Sequence, residues 1–329
     1  MPAPTAPPPP PPDPRAVADA FGLGRPSGTA VAAARGELGR IWRLETATGT
    51  WAVKEIFEPG TEAAAQADVA FQEAALAAGV PMPRPIVGPR ATVLAQVEAP
   101  DRRITVRVYT WVEIAQPVRP AAATDAAAIL GRLHALAYPD DRPMDPWFTE
   151  AVATDRWRDL LAAAEAAAAP WAPTFAELIP ALIAGEPIIA AGRHHPTIRC
   201  HLDFNIENVH VAANGRPVVV DWENSGPAPA EEELASVLAE FVPHPGGAPA
   251  FLEAYTAAGG PATLRDSSSF AMCLAFQSAL VAWYAERALD PTLGEEDRAR
   301  SVHWLRDIAA NVFTPARIEG WLAAAKGRP

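Results

Sequence analysis

The stretch that decides the fold runs from His201 to Glu223 and reads HLDFNIENVHVAANGRPVVVDWE. Asp203 follows His201 by two positions, and Asn208 follows Asp203 by five. HVAANGRPVVV comes next, with Asn214-Gly215 at its middle, the strongest short hairpin signal a sequence carries. Asp221-Trp222-Glu223 closes the stretch. A tight hairpin flanked by carboxylates and an asparagine brings those groups together in space. Asp203 is then a candidate general base. Asn208 and Asp221 supply hard oxygen donors of the kind Mg²⁺ takes, with phosphate oxygens and water completing its shell. Of the five asparagines in the chain, four fall between 205 and 224, which argues against an incidental polar turn.

Upstream, LGRIWRLET and TWAVKEIF are β-branched and aromatic runs separated by Ala47-Thr48-Gly49-Thr50, and they read as strands. Side chains alternate along a strand, so Ala52, Lys54 and Ile56 share one face. A lysine turned inward needs an anionic partner. Lys54 is one of only two lysines, against 25 arginines, so it has persisted where Arg is the common cation. The helix expected over TEAAAQADVAFQEAALAAGV starts at Thr61 and stops at Gly79. It sets Val69, Glu73 and Leu76 on one face, so Glu73 is the expected partner of Lys54. Pro81, Pro83 and Pro85 exclude helix beyond it. ATVLAQV and RRITVRVYTWV are two further strands.

After Pro117 and Pro120 the composition turns to Ala-rich helices. The expected organisation is a disordered Pro-rich tail over 1–18, a β-rich lobe over 19–112 and a larger helical lobe over 113–329. The fold class is α+β. Residues 1–110 carry balanced charge, and the whole net charge of −12 lies beyond them. That argues against nucleic acid as a partner; such a field attracts a cationic ligand or metal ion, or simply keeps an acidic surface soluble. No apolar run is expected to reach the roughly 20 residues that span a bilayer; the nearest, Phe270 to Ala285, is broken by Gln277 and Ser278 and reads as a buried helix. Cys200 and Cys273 are too few for a disulfide framework, which points to a reducing cytoplasm. His194-His195 reads as a solvated loop and Ser267–Ser269 as the cap of the long helix that follows. Trp283 and Tyr284 read either as core or as substrate-pocket lining.

H-x-D-x-x-x-x-N followed by D-W-E resembles the catalytic segment of the aminoglycoside phosphotransferase-like kinases, relatives of the protein kinases. The resemblance spans roughly residues 25–320. It implies a protein-kinase-like two-lobe fold and ATP-dependent (or GTP-dependent) phosphoryl transfer to a hydroxyl of a small molecule, with Mg²⁺. It makes Asp203 the catalytic base, Asn208 and Asp221 metal ligands, and His201 a brace of the loop. Ala52-Val53-Lys54 matches the nucleotide-binding strand and Glu73 its helix partner. Gly36 and Gly39 fall where the phosphate-covering loop belongs, and Thr110, Trp111 and Val112 occupy the adenine-contacting hinge. Two departures stand out. Leu202 replaces the glycine usual after the loop histidine, and Glu233 stands where aspartate is usual. The implied substrate is an antibiotic, with choline-like, homoserine-like or sugar acceptors and a nucleotide-binding pseudokinase regulator as alternatives. Lys54, Asp203, Asn208 and Asp221 are all present, which favours an active enzyme. D-W-E in place of D-F-G, without an A-P-E stretch, disfavours a protein kinase. The basic end WLAAAKGRP weakens an aminoglycoside specifically. Sequence leaves the oligomeric state open.

Overall fold

In GRIWRLET and GTWAVKEI, large apolar side chains alternate with polar ones, and each run forms one strand of an antiparallel sheet. The computed structural model describes residues 9–36, 38–192 and 196–327. The strands of this sheet are β1 (Val31–Arg35), β2 (Gly39–Thr46), β3 (Gly49–Ile56), β4 (Ala95–Glu98) and β5 (Arg103–Thr110). Their order is β1-β2-β3-β5-β4. Helix α1 (Pro14–Phe21) precedes the sheet, and α2 (Glu62–Ala77) joins β3 to the later strands.

The two faces of the sheet differ in chemistry. Trp42, Leu44, Val53, Val106 and Val108 point to one face and bury themselves against Val17, Ala18 and Phe21 of α1. Residues directly opposite in an antiparallel pair share a face. The register pairs Lys54 with Arg107 and Ala52 with Tyr109, so the other face carries two cations and a phenol side by side.

Helix α1 corrects the expected tail. The tail was placed over 1–18, yet an ordered helix begins at Pro14. Asp13 caps it by accepting from the Arg15 N–H, Pro14 fits the first turn, and Gly22 closes it at φ 68°. The short run AVADAF turns Val17, Ala18 and Phe21 to the sheet, and this burial stabilises what the Pro-rich flank conceals.

The chain divides into two compact units, and the division departs from the boundary expected after residue 112. The first comprises Met1–Leu136 together with Asp203–Ser225, the second Ala137–Leu202 together with Gly226–Pro329. The cause is backbone hydrogen bonding. Besides α3 (Ala123–Ala135), the first unit holds the hairpin β7 (Val209–Val211) and β8 (Pro217–Val219), whose turn places Gly215 at φ 81°. The hairpin accepts from the Ala115 and Ala121 N–H groups and donates from Val219 to the Pro81 carbonyl. The D-W-E segment therefore belongs with the sheet that carries Lys54.

The second unit pairs β6 (Ile198–Cys200) with β9 (Gly226–Ala228). Its helices are α4 (Thr154–Ala166), α5 (Ala172–Ala184), α6 (Glu186–Ala191), α7 (Ala230–Phe241), α8 (Ala248–Ala257), α9 (Ala271–Leu289), α10 (Glu295–Asn311) and α11 (Pro315–Ala325). Tyr284 is core, packed with Trp157, Trp171, Phe175 and Leu305, and Trp283 lies half-buried at the edge of that cluster. Asp266, not a serine, caps the short 3-10 turn that leads into α9. Two stretches, Ala172–Ala191 and Ser267–Leu289, match a membrane span in length and hydropathy, one more than the sequence reading singled out. The second is largely buried within this unit, and the first is broken at Gly185 into α5 and α6.

Phe21→Ala should lower the unfolding free energy by about 3–5 kcal/mol in urea denaturation, because the ring is buried between α1 and the sheet. A loss below about 1 kcal/mol would show that α1 is not part of that core.

Candidate active site

Asp203 is the first residue of the segment that joins the sheet-bearing unit. Both of its carboxylate oxygens are held by amides. The Asn205 side chain donates to Oδ1 at 2.8 Å, and the Asn224 side chain donates to Oδ2 at 3.2 Å. The Asn208 amide nitrogen donates to the Asp203 carbonyl at 2.9 Å, which leaves Asn208 Oδ1 as an oxygen donor beside the carboxylate. Burial, and then the negative charge of Asp221, push the Asp203 carboxyl up to about 8. A group poised there binds and releases a proton near neutral pH, as a general base must. His201, expected to brace this loop, is fully buried in the second unit.

Asp221 ends the hairpin with φ 61°, in the left-handed region that a non-glycine residue adopts only when its surroundings fix it. The next residue, Trp222, does much of the fixing. Its indole is buried, donates to the Val219 carbonyl at 3.2 Å and meets Phe71 of α2 edge-on at 5.8 Å between ring centres. Ser225 adds a contact to Asp68 of α2 at 3.5 Å. Helix α2 thus clamps the D-W-E turn from behind.

Lys54 reaches into this turn. Its Nζ lies 2.5 Å from Asp221 Oδ1 and 2.7 Å from Glu223 Oε2. Burial alone would lower the ammonium pKa, but the charges of Glu223 and Asp221 outweigh it and hold Lys54 above its usual range. Burial likewise opposes ionisation of Glu223, yet Lys54, a hydrogen bond with Asp221, and Arg107 keep its carboxyl below the ordinary carboxylate range. Tyr109 Oη donates to Glu223 Oε1 at 2.6 Å, and burial followed by the Glu223 charge raises the phenol well above its usual value. Arg107 pairs with Asp68 at 3.3 Å, both of them buried.

Several expected site residues sit elsewhere than the sequence suggests. Glu73 does not meet Lys54; it forms a half-exposed pair with Arg84 at 2.8 Å. The buried stripe of α2 runs Ala65, Asp68, Val69, Gln72, Ala75, one position away from Glu73. Gly39 lies inside β2 rather than in a loop, and a β-carbon there would come within 2.7 Å of the Glu55 carbonyl and 3.4 Å of Lys54 Cε. Its bareness is what lets β2 run against Lys54. Gly36 donates its N–H to the Gly39 carbonyl at 3.0 Å and has open space around its Cα. At the hinge, Thr110 and Trp111 donate their N–H groups to the carbonyls of Arg84 and Thr50. The Val112 N–H makes no backbone hydrogen bond among the described residues. His194 and His195 lie outside the described residues. Tyr109, Arg107 and Asp68 escaped the sequence reading, and Glu223 was read only as part of D-W-E with no role of its own; the signal available was Arg107 and Tyr109 at strand spacing, with an acid two residues beyond Asp221.

In the second unit, Leu202 takes φ 64°, the left-handed conformation in which the glycine usual here is at ease. Its N–H donates to Oε1 of buried Glu233 at 2.7 Å, so Glu233 pins the residue that precedes Asp203. Leu202 packs in a cluster with Met144 and Phe148, and these two also line a cavity of about 410 Å³. Thr149, Glu150, Ile189 and Glu232 contribute to the same wall. The Glu232 carboxylate, buried at the start of α7, accepts from the Met272 N–H at 3.0 Å.

The donor set at the first unit fits a nucleotide and its metal. It offers a lysine for phosphate, asparagine and aspartate oxygens for a hard cation, and a bare strand position beside the lysine. Known proteins share the fold. The architecture matches a spectinomycin phosphotransferase in complex with ADP and spectinomycin, with a TM-score of 0.62, 13% identity, and coverage of 90% of this chain and 93% of that one. It matches an aminoglycoside phosphotransferase from Alicyclobacillus acidocaldarius at 0.56 and 16% identity, covering 99% and 97%. It matches a choline/ethanolamine kinase family protein from Mesorhizobium loti at 0.54 and 18% identity, covering 95% and 98%. These likenesses establish the protein-kinase-like fold. No curated protein sequence matches the chain. Residues 29–270 match the family described as the Phosphotransferase enzyme family, and the chain belongs to that family of small-molecule kinases.

Proposed function

We propose that this phosphotransferase moves the γ-phosphoryl group of ATP to a hydroxyl of a small molecule, with Asp203, Asn208, Asp221 and Lys54 as its working residues. The observation that carries the reading is the gathering of those four side chains around one hairpin, beside the strand that holds the only lysine outside the C-terminal end. In the reaction the acceptor oxygen bonds to the γ-phosphorus while the bond from that phosphorus to the β,γ-bridging oxygen breaks. ADP leaves, and the acceptor proton passes to Asp203 Oδ. Lys54 neutralises phosphate charge. Asn208 Oδ1 and Asp221 would hold Mg²⁺, which would shield the charge of the phosphates. Glu233 fixes the backbone of Leu202, the residue before Asp203, and buried His201 is the proposed brace of that same turn. Val112, whose N–H makes no backbone hydrogen bond among the described residues, is the hinge position suited to an adenine edge. The reading places the protein in the cytoplasm, where ATP is available and both cysteines stay reduced.

The second unit holds a cavity whose lining suggests the chemical class of the acceptor. It combines an apolar wall of Met144, Phe148 and Ile189 with the carboxylates of Glu150 and Glu232, which suits a molecule with an apolar body and a cationic group. An antibiotic is the leading substrate class. Among the structural neighbours are a spectinomycin phosphotransferase and an amicoumacin kinase. The volume of about 410 Å³ lies near the small end of ligand pockets and supports a second reading, a compact amino alcohol. Other neighbours are a choline kinase and an aminopropanol kinase. ATP consumption measured across a panel of antibiotics, choline, ethanolamine, homoserine and sugars separates the two.

With the acceptor found in that panel, Asp203→Ala should lower kcat by about 10²–10⁴-fold while ATP still binds. Wild-type turnover in this variant would remove Asp203 from the reaction. Asp221→Asn should abolish the gain in nucleotide affinity on adding Mg²⁺, since a neutral amide balances less of the cation's charge. Calorimetric titration with and without Mg²⁺ reads this directly, and an undiminished Mg²⁺ effect would show that the metal binds elsewhere.

A further inference from the structure

Three carboxylates are candidates to anchor Lys54: Glu73, Asp221 and Glu223. Glu73 is committed to Arg84 at 2.8 Å, at the surface. Asp221 touches Lys54 at 2.5 Å, but on the reading above its carboxylate belongs to the metal once nucleotide is bound. Glu223 remains. Its Oε2 lies 2.7 Å from Lys54 Nζ, and its side chain is only 17% exposed.

The surroundings of Glu223 are built to keep it there. Lys54 and Arg107 stand directly opposite each other on β3 and β5. Like charges in that register repel, so an anion must lie between them and α2. Two acids meet that need. Asp68 of α2 takes Arg107 at 3.3 Å, and Glu223 takes Lys54. Tyr109, two residues along β5 and on the same face, donates to the second oxygen of Glu223 at 2.6 Å and fixes its rotamer. The helix reaches the same assembly through Asp68 to Ser225 and Phe71 to Trp222, either side of Glu223 in sequence.

We propose that Glu223 is the positioning residue for Lys54 in this enzyme, held by Tyr109, and that α2 acts on the lysine only through the D-W-E turn. The helix carboxylate that the family resemblance assigns to this task, Glu73, has no part in it. The inference rests on the phosphotransferase reading. It goes beyond that reading by relocating the lysine's anchor from the helix to the segment after the metal-binding aspartate.

The test compares Glu223→Gln, Glu223→Asp, Tyr109→Phe and Glu73→Ala in the full chain, with AMP-PNP and Mg²⁺ as the probe and calorimetry as the readout. Loss of a hydrogen bond to a charged partner corresponds to roughly 10–100-fold. Glu223→Gln should therefore weaken AMP-PNP binding by about that factor. Glu223→Asp, which keeps the charge on a shorter arm, should recover part of it. Tyr109→Phe should weaken binding by about 3–10-fold, the range for one hydroxyl hydrogen bond. Glu73→Ala should bind as wild type does. In turnover assays the Glu223 variants should show raised KM for ATP and lowered kcat with the acceptor KM unchanged, a split that general loosening of the fold would not produce. Wild-type affinity in both Glu223→Gln and Tyr109→Phe, or a loss in Glu73→Ala equal to that in Glu223→Gln, overturns the assignment. If Glu223→Gln does not fold, Tyr109→Phe alone decides between these outcomes. Wild-type protein that binds no AMP-PNP would overturn the phosphotransferase reading itself, a result distinct from the failure of Glu223.

Discussion

An ammonium group buried under a β-sheet is costly unless anions surround it, and Lys54 imposes that condition on the first unit. Its Nζ sits between Asp221 and Glu223, so the polar face of the sheet is completed by the segment that follows the hairpin. Together with the backbone hydrogen bonds of the hairpin, the constraint ties residues 203–225, distant in sequence, to the compact unit that holds β3. It also sets the local chemistry. Two acids beside one lysine, with Arg107 and Tyr109 adjacent, make a polar cluster in which each charge depends on its neighbours. Removing one member of such a cluster leaves another buried and uncompensated, typically a loss of about 3–5 kcal/mol.

The remaining architecture serves that cluster. Helix α1 covers the apolar face of the sheet, which leaves the opposite face free to be polar. The hairpin is fastened at Ala115, Ala121 and Pro81, so Asp203 and Asp221, at its two ends, are held at a fixed separation. Two residues bear left-handed backbone conformations at the ends of this segment, Leu202 and Asp221. Each costs of order 1–3 kcal/mol in isolation. Glu233 holds the first through a hydrogen bond, and Trp222, wedged on Phe71, holds the second. Strain located at the two residues bounding the candidate catalytic segment is consistent with a loop shaped for chemistry.

How much of this was legible in the sequence depends on contrast. Asn214-Gly215, the asparagine cluster and the lone lysine in the strand WAVKEIF are sharp signals, and the hairpin, the sheet and the inward Lys54 all follow from them. Helix α2 gave no such contrast. Eight of its sixteen residues are alanine, and both its buried stripe and its exposed face contain acids, so the pattern could not fix which carboxylate turns inward. A shift of one residue rotates the helix by about 100° and exchanges Asp68 for Glu73. The function of Glu223 was hidden for a different reason, because strand register and hairpin docking bring it to Lys54, and neither is written in local sequence. Helix α1 was masked by the prolines before it, although Asp13-Pro14 and Gly22 are ordinary helix boundaries.

The scarcity of lysine makes the central claim directly measurable. An acyl-phosphate derivative of ATP acylates a lysine amine that lies near the bound nucleotide's terminal phosphate, and this chain offers only Lys54 and Lys326. Peptide mass mapping after brief exposure, with and without excess ATP and Mg²⁺, reads both sites at once. The account predicts rapid labelling of Lys54, suppressed by ATP, with Lys326 labelled slowly and without regard to ATP. Equal labelling of the two lysines, or labelling of Lys54 that excess ATP leaves unchanged, would contradict the placement of the nucleotide phosphates at Lys54.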